Sequence, residues 1–397
     1  MENPFTYGVV VTGKYFTGRA EELAELKLDM RSGQNVVIIS PRRYGKTSLV
    51  FQTMEDLTKE GVLVAYVDLM ISETKTEFAS SLANALYDGL VVPFDRAWKK
   101  AGDFFSRLSL RPKFTIDEAG KPVVEISTTI GERDVDQIIR ELLALPGEIA
   151  GQRQKPVVVI MDEFQEVVNI DPHLPATMRA VFQRQGEVSH VFLGSKRHIM
   201  TDVFTSTNQP LYRMAKVLPL GAIDYPTFEE FLRARFASTA TLVSEGAVER
   251  ILEITACHPH DTQQLAYFAW SHAYLHHQSL TPELVDHAFQ RVLEVEDDRF
   301  TIIWDGLSRG QRLVLKALAA DGNREVYSEE YRLRHRLGAP TSVQAAIRGL
   351  KTKDLIEATA EGYSITDRLL SAWIRRYRNG PEPTLRIPHR PPASASN

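Results

Sequence analysis

The most constraining feature of the sequence is a short apolar run that leads directly into a loop containing Gly-Lys-Thr. Residues 35–48 read Asn-Val-Val-Ile-Ile-Ser-Pro-Arg-Arg-Tyr-Gly-Lys-Thr-Ser. From Ser40 the spacing is S-x-x-x-x-G-K-T, which is the P-loop template with Ser in place of the first Gly. Pro41 partly compensates for that departure by fixing φ in the turn. The stretch predicts a buried strand, a phosphate-binding loop and a helix over 48–57.

Each residue type in this loop has an expected role in binding ATP or ADP with Mg²⁺. Backbone N–H groups and a helix N-terminus can surround a phosphate chain. Gly45 allows close backbone approach, Lys46 can reach the β- and γ-phosphates, and the Thr47 hydroxyl can ligate Mg²⁺. A simple turn between strand and helix would not explain Gly-Lys-Thr at this place. The predicted nucleotide-binding residues of the loop are Ser40, Pro41, Arg42, Arg43, Tyr44, Gly45, Lys46, Thr47 and Ser48.

The composition is that of an ordinary globular protein. The chain has 397 residues, enough for two or three domains, with 43% hydrophobic and 25% charged residues. Its one cysteine, Cys257, excludes an internal disulfide framework and favours a reducing compartment. The sequence has no signal-peptide pattern at its start and no apolar run near the roughly 20 residues that a membrane helix needs. We therefore expect a cytoplasmic location and no membrane partner.

A second motif supplies the carboxylates that a nucleotide site needs. Residues 156–166 read Pro-Val-Val-Val-Ile-Met-Asp-Glu-Phe-Gln-Glu. A continuous β-branched run that ends in acids predicts a buried parallel strand with carboxylates at its C-terminal edge, where α/β sheets bind ligands. This Walker B pattern predicts that Asp162 holds Mg²⁺ through water and that Glu163 is the general base for the attacking water. The alternative is a solvated acidic turn after a core strand.

Two further strand ends offer polar groups to the same site. The apolar run 190–194 is followed by Ser195, which is our candidate for contacting the γ-phosphate or the attacking water, with Lys196 or Arg197 as charged alternatives. Solvated bases in a turn are an equal alternative. Arg213 precedes a fourth strand, expected at 216–221, and could act as an arginine finger in cis or from a neighbouring subunit. A surface salt bridge would also explain Arg213.

Several spaced pieces together resemble a known family. Residues 16–26 read Phe-Thr-Gly-Arg-Ala-Glu-Glu-Leu-Ala-Glu-Leu, and the Pro-Arg-Arg-Tyr-Gly-Lys-Thr loop and Asp-Glu-Phe-Gln-Glu follow. Their order resembles the prokaryotic "archaeal ATPase" family, an AAA+/STAND-like branch of P-loop ATPases related to origin-recognition ATPases. The resemblance covers about residues 10–375. It implies that Arg19 packs near the adenine and that Pro259 belongs to a helical lid that contacts the nucleotide. Cys257 stands where that family commonly has Gly.

The predicted fold class is α/β, with an AAA+-like P-loop parallel sheet, then a helical lid and a C-terminal winged helix. In the lid, Thr227 and Glu230 have the spacing of a capping box. The 109–128 stretch alternates apolar and polar residues around a turn, which predicts a β-hairpin that is more plausibly a structural decoration than a binding wedge. The predicted divisions are an ATPase core at 1–225, a lid at 226–300, a winged helix at 301–379 and a disordered tail at 380–397.

The predicted winged helix is more basic than the rest of the chain. Residues 301–380 contain 14 Lys and Arg against 9 Asp and Glu, although the whole chain has a net charge of −4. The second helix of such a motif can enter the major groove, so four residues after Pro340 are candidates for contacting duplex DNA. A winged helix can equally dock on an unknown protein partner. The candidate nucleic-acid contacts are Gln344, Arg348, Lys351 and Lys353.

These features support two functional hypotheses. The first is an ATP-hydrolysing molecular switch that passes its nucleotide state to the winged helix. The second is a DNA-binding initiator or loader that forms a homo-oligomer on DNA, with Arg213 acting in trans. A scaffold that binds ATP without hydrolysis is a third possibility, but it would not need Glu163 beside the Mg²⁺-binding acid.

Overall fold

The structure is a computed structural model that describes residues 2–91, 113–116, 122–125, 132–322, 325–359 and 362–378. For 113–116, 122–125 and 132–134 it describes the backbone alone. The chain divides into two compact units. The first is Val10–Gly221, and the second comprises the described residues of Met1–Val9 and Ala222–Asn397. The first nine residues therefore group with the C-terminal part of the chain, although the sequence joins them directly to the P-loop unit.

The first unit is built on a five-stranded parallel sheet. Its strand order is β2-β5-β6-β1-β7, so the P-loop strand β1 lies between β6 and β7. A separate antiparallel pair, β3 and β4, lies inside the predicted hairpin, and the remaining residues of 109–128 are outside the described part of the chain. The strands are β1 Val36–Ile39, β2 Leu63–Asp68, β3 Lys113–Ile116, β4 Pro122–Glu125, β5 Val157–Asp162, β6 Val188–Gly194 and β7 Lys216–Pro219.

Helices cover both faces of this sheet. Along β5, Val157, Val159 and Met161 join one buried cluster, whereas Val158 and Ile160 join the other. The continuous apolar run of β5 is therefore required by burial on both faces, and the α/β class predicted from the sequence is confirmed. The helices of the unit are α1 Ala20–Arg31, α2 Lys46–Lys59, α3 Lys75–Leu86, α4 Glu132–Arg153, α5 Val167–Ile170, α6 Leu174–Phe182 and α7 Arg197–Thr205.

The second unit begins with five helices in the region predicted as a lid. The capping box predicted at Thr227 and Glu230 is wrong, because Asp224 is the N-cap of the first of these helices and accepts from the Thr227 N–H at 3.0 Å. Asp is a strong N-cap, and the Pro226 that follows needs no hydrogen bond to its nitrogen in the first turn. The helices are α8 Tyr225–Ala237, α9 Ala247–Thr255, α10 Pro259–His276, α11 Pro282–Val295 and α12 Asp297–Asp305.

The remaining elements have the order expected of a winged helix. Ser308 caps the first of them with a complete capping box to Gln311. These elements share one continuous apolar core with the preceding helices, including Phe300 and Trp373, so the two regions form one body. The predicted tail at 380–397 lies outside the described residues. The elements are α13 Arg309–Asp321, α14 Glu329–Arg334, α15 Pro340–Thr352, β8 Ile356–Thr359, β9 Gly362–Ile365 and α16 Arg368–Arg378.

Across the described part of the chain, no helix is both long enough and apolar enough to span a bilayer.

Candidate functional site

The loop between β1 and α2 has the backbone that a P-loop requires. Gly45 is the N-cap of α2 and has a φ of +84°, a conformation that non-Gly residues rarely adopt. A Cβ on Gly45 would meet no atom within 4 Å, so the need for Gly here comes from the dihedral angle. The helix starts at Lys46, two residues before the predicted start at Ser48. The loop therefore points the positive end of the α2 dipole at the C-terminal edge of the sheet.

The Lys46 side chain lies inside this loop and bonds to its backbone. Its side chain is buried, and its Nζ donates to Ser40 O at 3.0 Å and to Pro41 O at 2.9 Å. Burial lowers the pKa of Lys46 to about 8, and the nearby charges of Glu163 and Asp162 offset part of that effect. At neutral pH the ammonium is therefore still mostly protonated, and a polyanion in the loop would stabilise its charged form.

The two predicted Mg²⁺ ligands meet at the carboxyl end of β5. The Thr47 Oγ1 donates to Asp162 Oδ2 at 3.2 Å, and the Glu163 N–H donates to Asp162 Oδ1 at 2.8 Å. Asp162 is 7% exposed, and this burial raises its pKa above the ordinary value. A hydroxyl and a carboxylate are hard oxygen donors of the kind that Mg²⁺ prefers, so this pair fits the ion.

Tyr66 is a member of this cluster that sequence reasoning missed. Its hydroxyl donates to Asp162 Oδ2 at 2.8 Å, beside the bond from Thr47. Burial and the Asp162 charge both raise the pKa of Tyr66, which therefore acts as a neutral donor. Tyr66 comes from β2, and it reaches Asp162 because β2 pairs with β5 in parallel register. The only signal in the sequence is a polar aromatic residue inside an apolar strand, which does not specify its partner.

The predicted base, Glu163, lies on the turn directly after β5. Its backbone is left-handed, with a φ of +49°, and its carboxylate is half-buried. The Ser195 Oγ donates to Glu163 Oε2 at 2.9 Å, since β6 is the neighbour of β5 in the sheet. The Gln165 Nε2 donates to the same oxygen. Of the three candidates at the end of β6, Ser195 is therefore the residue that touches Glu163.

Lys196, one of the two charged alternatives to Ser195, contacts Glu166 instead of Glu163. Lys196 forms an ion pair with Glu166, with Nζ and Oε1 separated by 2.9 Å, and this pair lowers the pKa of Glu166. Arg197 is exposed at the first position of α7. The result is an alternating series of donors and carboxylates along the ends of β5 and β6. Its members, in order, are Ser195, Glu163, Gln165, Glu166 and Lys196.

Arg19 is buried beside the loop, where the family resemblance predicted a role for it. It is the left-handed N-cap of α1, with a φ of +64°, and it is 8% exposed. Its guanidinium donates to Glu22 Oε1 at 2.8 Å and to Gly221 O, and its NH2 lies 3.5 Å from Tyr44 O. Arg19 thus connects the P-loop to the last residue of the first unit.

Arg213 is not part of this cluster. Arg213 is exposed, has a φ of +53°, and precedes β7, whose first residue Lys216 pairs with Val36 at the start of β1. It therefore lies toward the N-terminal edge of the strands, whereas the P-loop follows their C-terminal edge. Pro259 belongs to the second unit, where it occupies the first position of α10 after the N-cap His258. Pro259 begins a helix, as its fixed φ and missing N–H allow.

The candidate nucleic-acid residues form an exposed face on the winged helix. Gln344, Arg348 and Lys351 are spaced i, i+4 and i+7 along α15, and Lys353 follows its end. The opposite face of α15 is buried through Val343, Ala346, Ile347 and Leu350. None of the three cations forms an ion pair within the described part of the chain. The exposed face of α15 is therefore polar, basic and available to a partner.

Comparisons with known proteins agree with this architecture. A family model described as "ATPase domain predominantly from Archaea" matches residues 16–265, and one described as "probable winged helix domain" matches residues 298–376. The Walker-type ATPase PABY2304 of Pyrococcus abyssi has 17% identity and a TM-score of 0.63, over 91% of this chain and 97% of that one. The ORC2 protein of Aeropyrum pernix, in ADPNP–ADP complexes, has 16% identity and a TM-score of 0.55, over 94% and 98%. No curated protein matches the chain.

Proposed function

The chain belongs to the family of ATPase domains found predominantly in Archaea, and from this premise we propose that it hydrolyses ATP and acts as a nucleotide-driven switch. The observation that carries the proposal is the convergence of Thr47, Asp162 and Glu163 beside the P-loop lysine. Lys46 and the N-terminus of α2 would bind the β- and γ-phosphates. Thr47 and Asp162 would hold Mg²⁺, which when bound neutralises charge on the phosphates. We further propose a cytoplasmic location.

Hydrolysis requires more than binding, and Glu163 supplies the additional group. A water in line with the γ-phosphate must be oriented and must lose a proton during attack. Glu163 is the next residue after Asp162, the acid proposed to hold Mg²⁺. Its charge offsets part of the decrease that burial causes in the pKa of Lys46. Its contact with Ser195 gives the carboxylate a fixed direction. A protein that only bound ATP would have no use for an oriented carboxylate at this point, which favours an ATPase over a scaffold.

The winged helix is the proposed output of the switch. It packs into the same apolar core as α8–α12, so a change in the position of those helices would move the winged helix with them. Trp373 in α16 donates to Asp297 Oδ1 at 2.7 Å, which ties the last helix to α12. For such a switch to work, the partner must bind one nucleotide state more tightly than the other. Arg213, acting from a second copy, would make hydrolysis depend on assembly.

The alternative is an initiator- or loader-type ATPase that binds duplex DNA. The exposed basic face of α15 favours it, because cations without carboxylate partners are available to contact DNA phosphates. Each phosphate contact made by Arg348, Lys351 or Lys353 would release a counterion, so binding would weaken steeply as salt rises.

One experiment separates these functions. ATP turnover is measured for the wild type and Glu163→Gln, with and without duplex DNA, at two salt concentrations. Turnover that is lost in Glu163→Gln while ATP binding remains would support hydrolysis through this base, and normal turnover in that variant would exclude it. Stimulation by DNA that disappears at higher salt would favour the initiator. Turnover indifferent to DNA would favour a switch with a protein partner.

A further inference from the structure

Gln165 is a buried polar residue that neither of the two motifs explains. It lies in the 3₁₀ turn Phe164–Glu166 after β5 and is 1% exposed. Its Nε2 donates to Glu163 Oε2, and the same nitrogen lies 3.4 Å from Glu166 Oε1. Both partners are carboxylates, which accept hydrogen bonds and repel the amide oxygen. The chemistry of its neighbours therefore fixes which end of the amide faces Glu163.

The other end of the amide has no polar partner. The Gln165 Oε1 is buried and accepts no hydrogen bond from any residue that the structure describes. It packs directly on the backbone of β6, where a Cβ on Gly194 would lie 2.7 Å from this oxygen. A buried acceptor without a donor destabilises the folded state. If the position only needed to be filled, an apolar side chain of the same size would be the more stable choice.

The hydrogen bond that the Gln165 Nε2 donates therefore explains why a glutamine occupies this position despite its unpaired Oε1. That hydrogen bond acts on one oxygen of Glu163. Glu163 Oε2 accepts from both Gln165 and Ser195, whereas Glu163 Oε1 accepts no hydrogen bond from the described residues. A carboxylate held through one oxygen keeps a fixed plane and leaves its second oxygen available to a water.

We propose that Gln165 is a positioning residue for Glu163, which fixes the carboxylate so that its Oε1 is the atom that accepts the proton of the attacking water. The inference rests on the proposed ATP hydrolysis. Because Gln165 acts only through Glu163, its loss should slow the chemical step without changing ATP binding. Misplacement of a catalytic group by about 1 Å can reduce a rate by about 100-fold.

The test compares Gln165→Met with a matched substitution, Gln185→Met. Methionine has nearly the shape of glutamine but no N–H donor. Gln185 also has a buried oxygen without a partner, and its Nε2 donates to the Leu143 and Ala144 carbonyls, away from the P-loop. We expect Gln165→Met to lower kcat at least tenfold with the KM for ATP within about twofold of the wild type. Gln185→Met should leave both constants unchanged, and the thermal unfolding midpoints of the two variants should be similar.

The other possible outcomes overturn either the positioning role of Gln165 or the proposed hydrolysis itself. If the wild type hydrolyses ATP, Glu163→Gln does not, and Gln165→Met keeps the wild-type kcat, the positioning role is wrong and hydrolysis stands. A lower kcat that comes with a higher KM also overturns the role, because it indicates general damage to the site. If Gln165→Met is unstable, Gln165→Leu must give the same loss, since it also fills the buried position without any N–H or O–H donor. A wild type without turnover overturns the proposed hydrolysis and this role with it.

Discussion

The Tyr66 hydroxyl and the Asp162 carboxylate lie 2.8 Å apart, across two neighbouring strands of the sheet. The same Oδ2 also accepts from Thr47, so the proposed Mg²⁺ ligands are oriented by a residue that would not itself touch the ion. The ring of Tyr66 packs on Phe51 of α2, with centroids 4.9 Å apart. The strand pairing, the aromatic contact and the hydrogen bond together fix the position of Asp162.

Tyr66→Phe tests this relationship, because it removes the hydroxyl and keeps the aromatic packing. Residues that orient a metal ligand typically contribute 10- to 100-fold to metal affinity. We expect the Mg²⁺ concentration for half-maximal ATP turnover to rise about tenfold, with little change in thermal stability. A titration of Mg²⁺-dependent nucleotide binding should show the same shift. An unchanged Mg²⁺ requirement would mean that Thr47 and the Glu163 N–H suffice to orient Asp162.

Lys46→Ala should abolish tight ATP binding. The ammonium lies inside the P-loop, where it donates to the Ser40 and Pro41 carbonyls, and a bound phosphate chain would replace these acceptors. Loss of a hydrogen bond to a charged group is expected to weaken the ATP affinity by about 10- to 100-fold, measured by calorimetry or by displacement of a fluorescent nucleotide. Lys59→Ala is the matched control, because Lys59 ends the same helix α2 at an exposed position where it pairs with Glu55. Equal affinities of the two variants would contradict the role of Lys46.

The sequence predicts those parts of the site that local chemistry specifies. The P-loop and the Asp162–Glu163 pair are recognisable because the residues proposed for each role are adjacent in the chain. Tyr66 was missed because its contact with Asp162 depends on the pairing of β2 with β5. Gln165 was missed because its burial against the backbone of β6, which leaves only one end of the amide with a partner, is not visible in the sequence. The error at Thr227 had another cause, since two competing N-cap patterns overlap and the Asp224-Tyr-Pro signal is the stronger.

The buried ring of His190 should make the stability of the first unit depend on pH. The ring is fully buried and stacked on Phe182 with centroids 3.7 Å apart, and its Nδ1 lies 3.1 Å from Asn35 Oδ1. Burial lowers the pKa of His190 to about 3, whereas the unfolded residue titrates near its ordinary value of about 6.5. Between these values the unfolded chain binds a proton that the folded chain does not. The contribution of His190 is therefore fully present above pH 6.5 and is lost as the pH falls toward 3.

The expected effect is a decrease of about 1.4 kcal/mol in the free energy of unfolding per pH unit below about 6.5, from this one group. His190→Phe should remove that part of the slope, since Phe keeps the stacking on Phe182 and cannot be protonated. Urea unfolding of both proteins at several pH values between 4 and 7 measures it. Parallel pH profiles for the two proteins would show that His190 does not stay neutral in the folded state.

The N-terminal segment provides the last prediction, because it belongs to the second unit although it precedes the P-loop in sequence. Phe5 is 2% exposed and packs on Phe236 of α8 with ring centroids 4.7 Å apart. Asn3 anchors the segment by donating to Tyr267 O at 3.1 Å and to Ser271 Oγ at 3.0 Å. The chain thus passes between the two units twice, after Val9 and after Gly221. These contacts make the first residues part of the core that carries the winged helix.

Phe5→Ala should therefore destabilise the second unit by about 3–5 kcal/mol, the usual cost of removing a buried aromatic ring. Trp270, Trp304 and Trp373 all lie in that unit, so the tryptophan fluorescence during denaturant unfolding reports mainly on it. Val9→Ala is the control in the same segment, because Val9 is 65% exposed and its truncation should change stability by less than about 0.5 kcal/mol. If both substitutions had the same small effect, the segment would be dispensable for the core. A large effect of Phe5→Ala alone would mean that this segment is required for the fold of the unit that carries the winged helix.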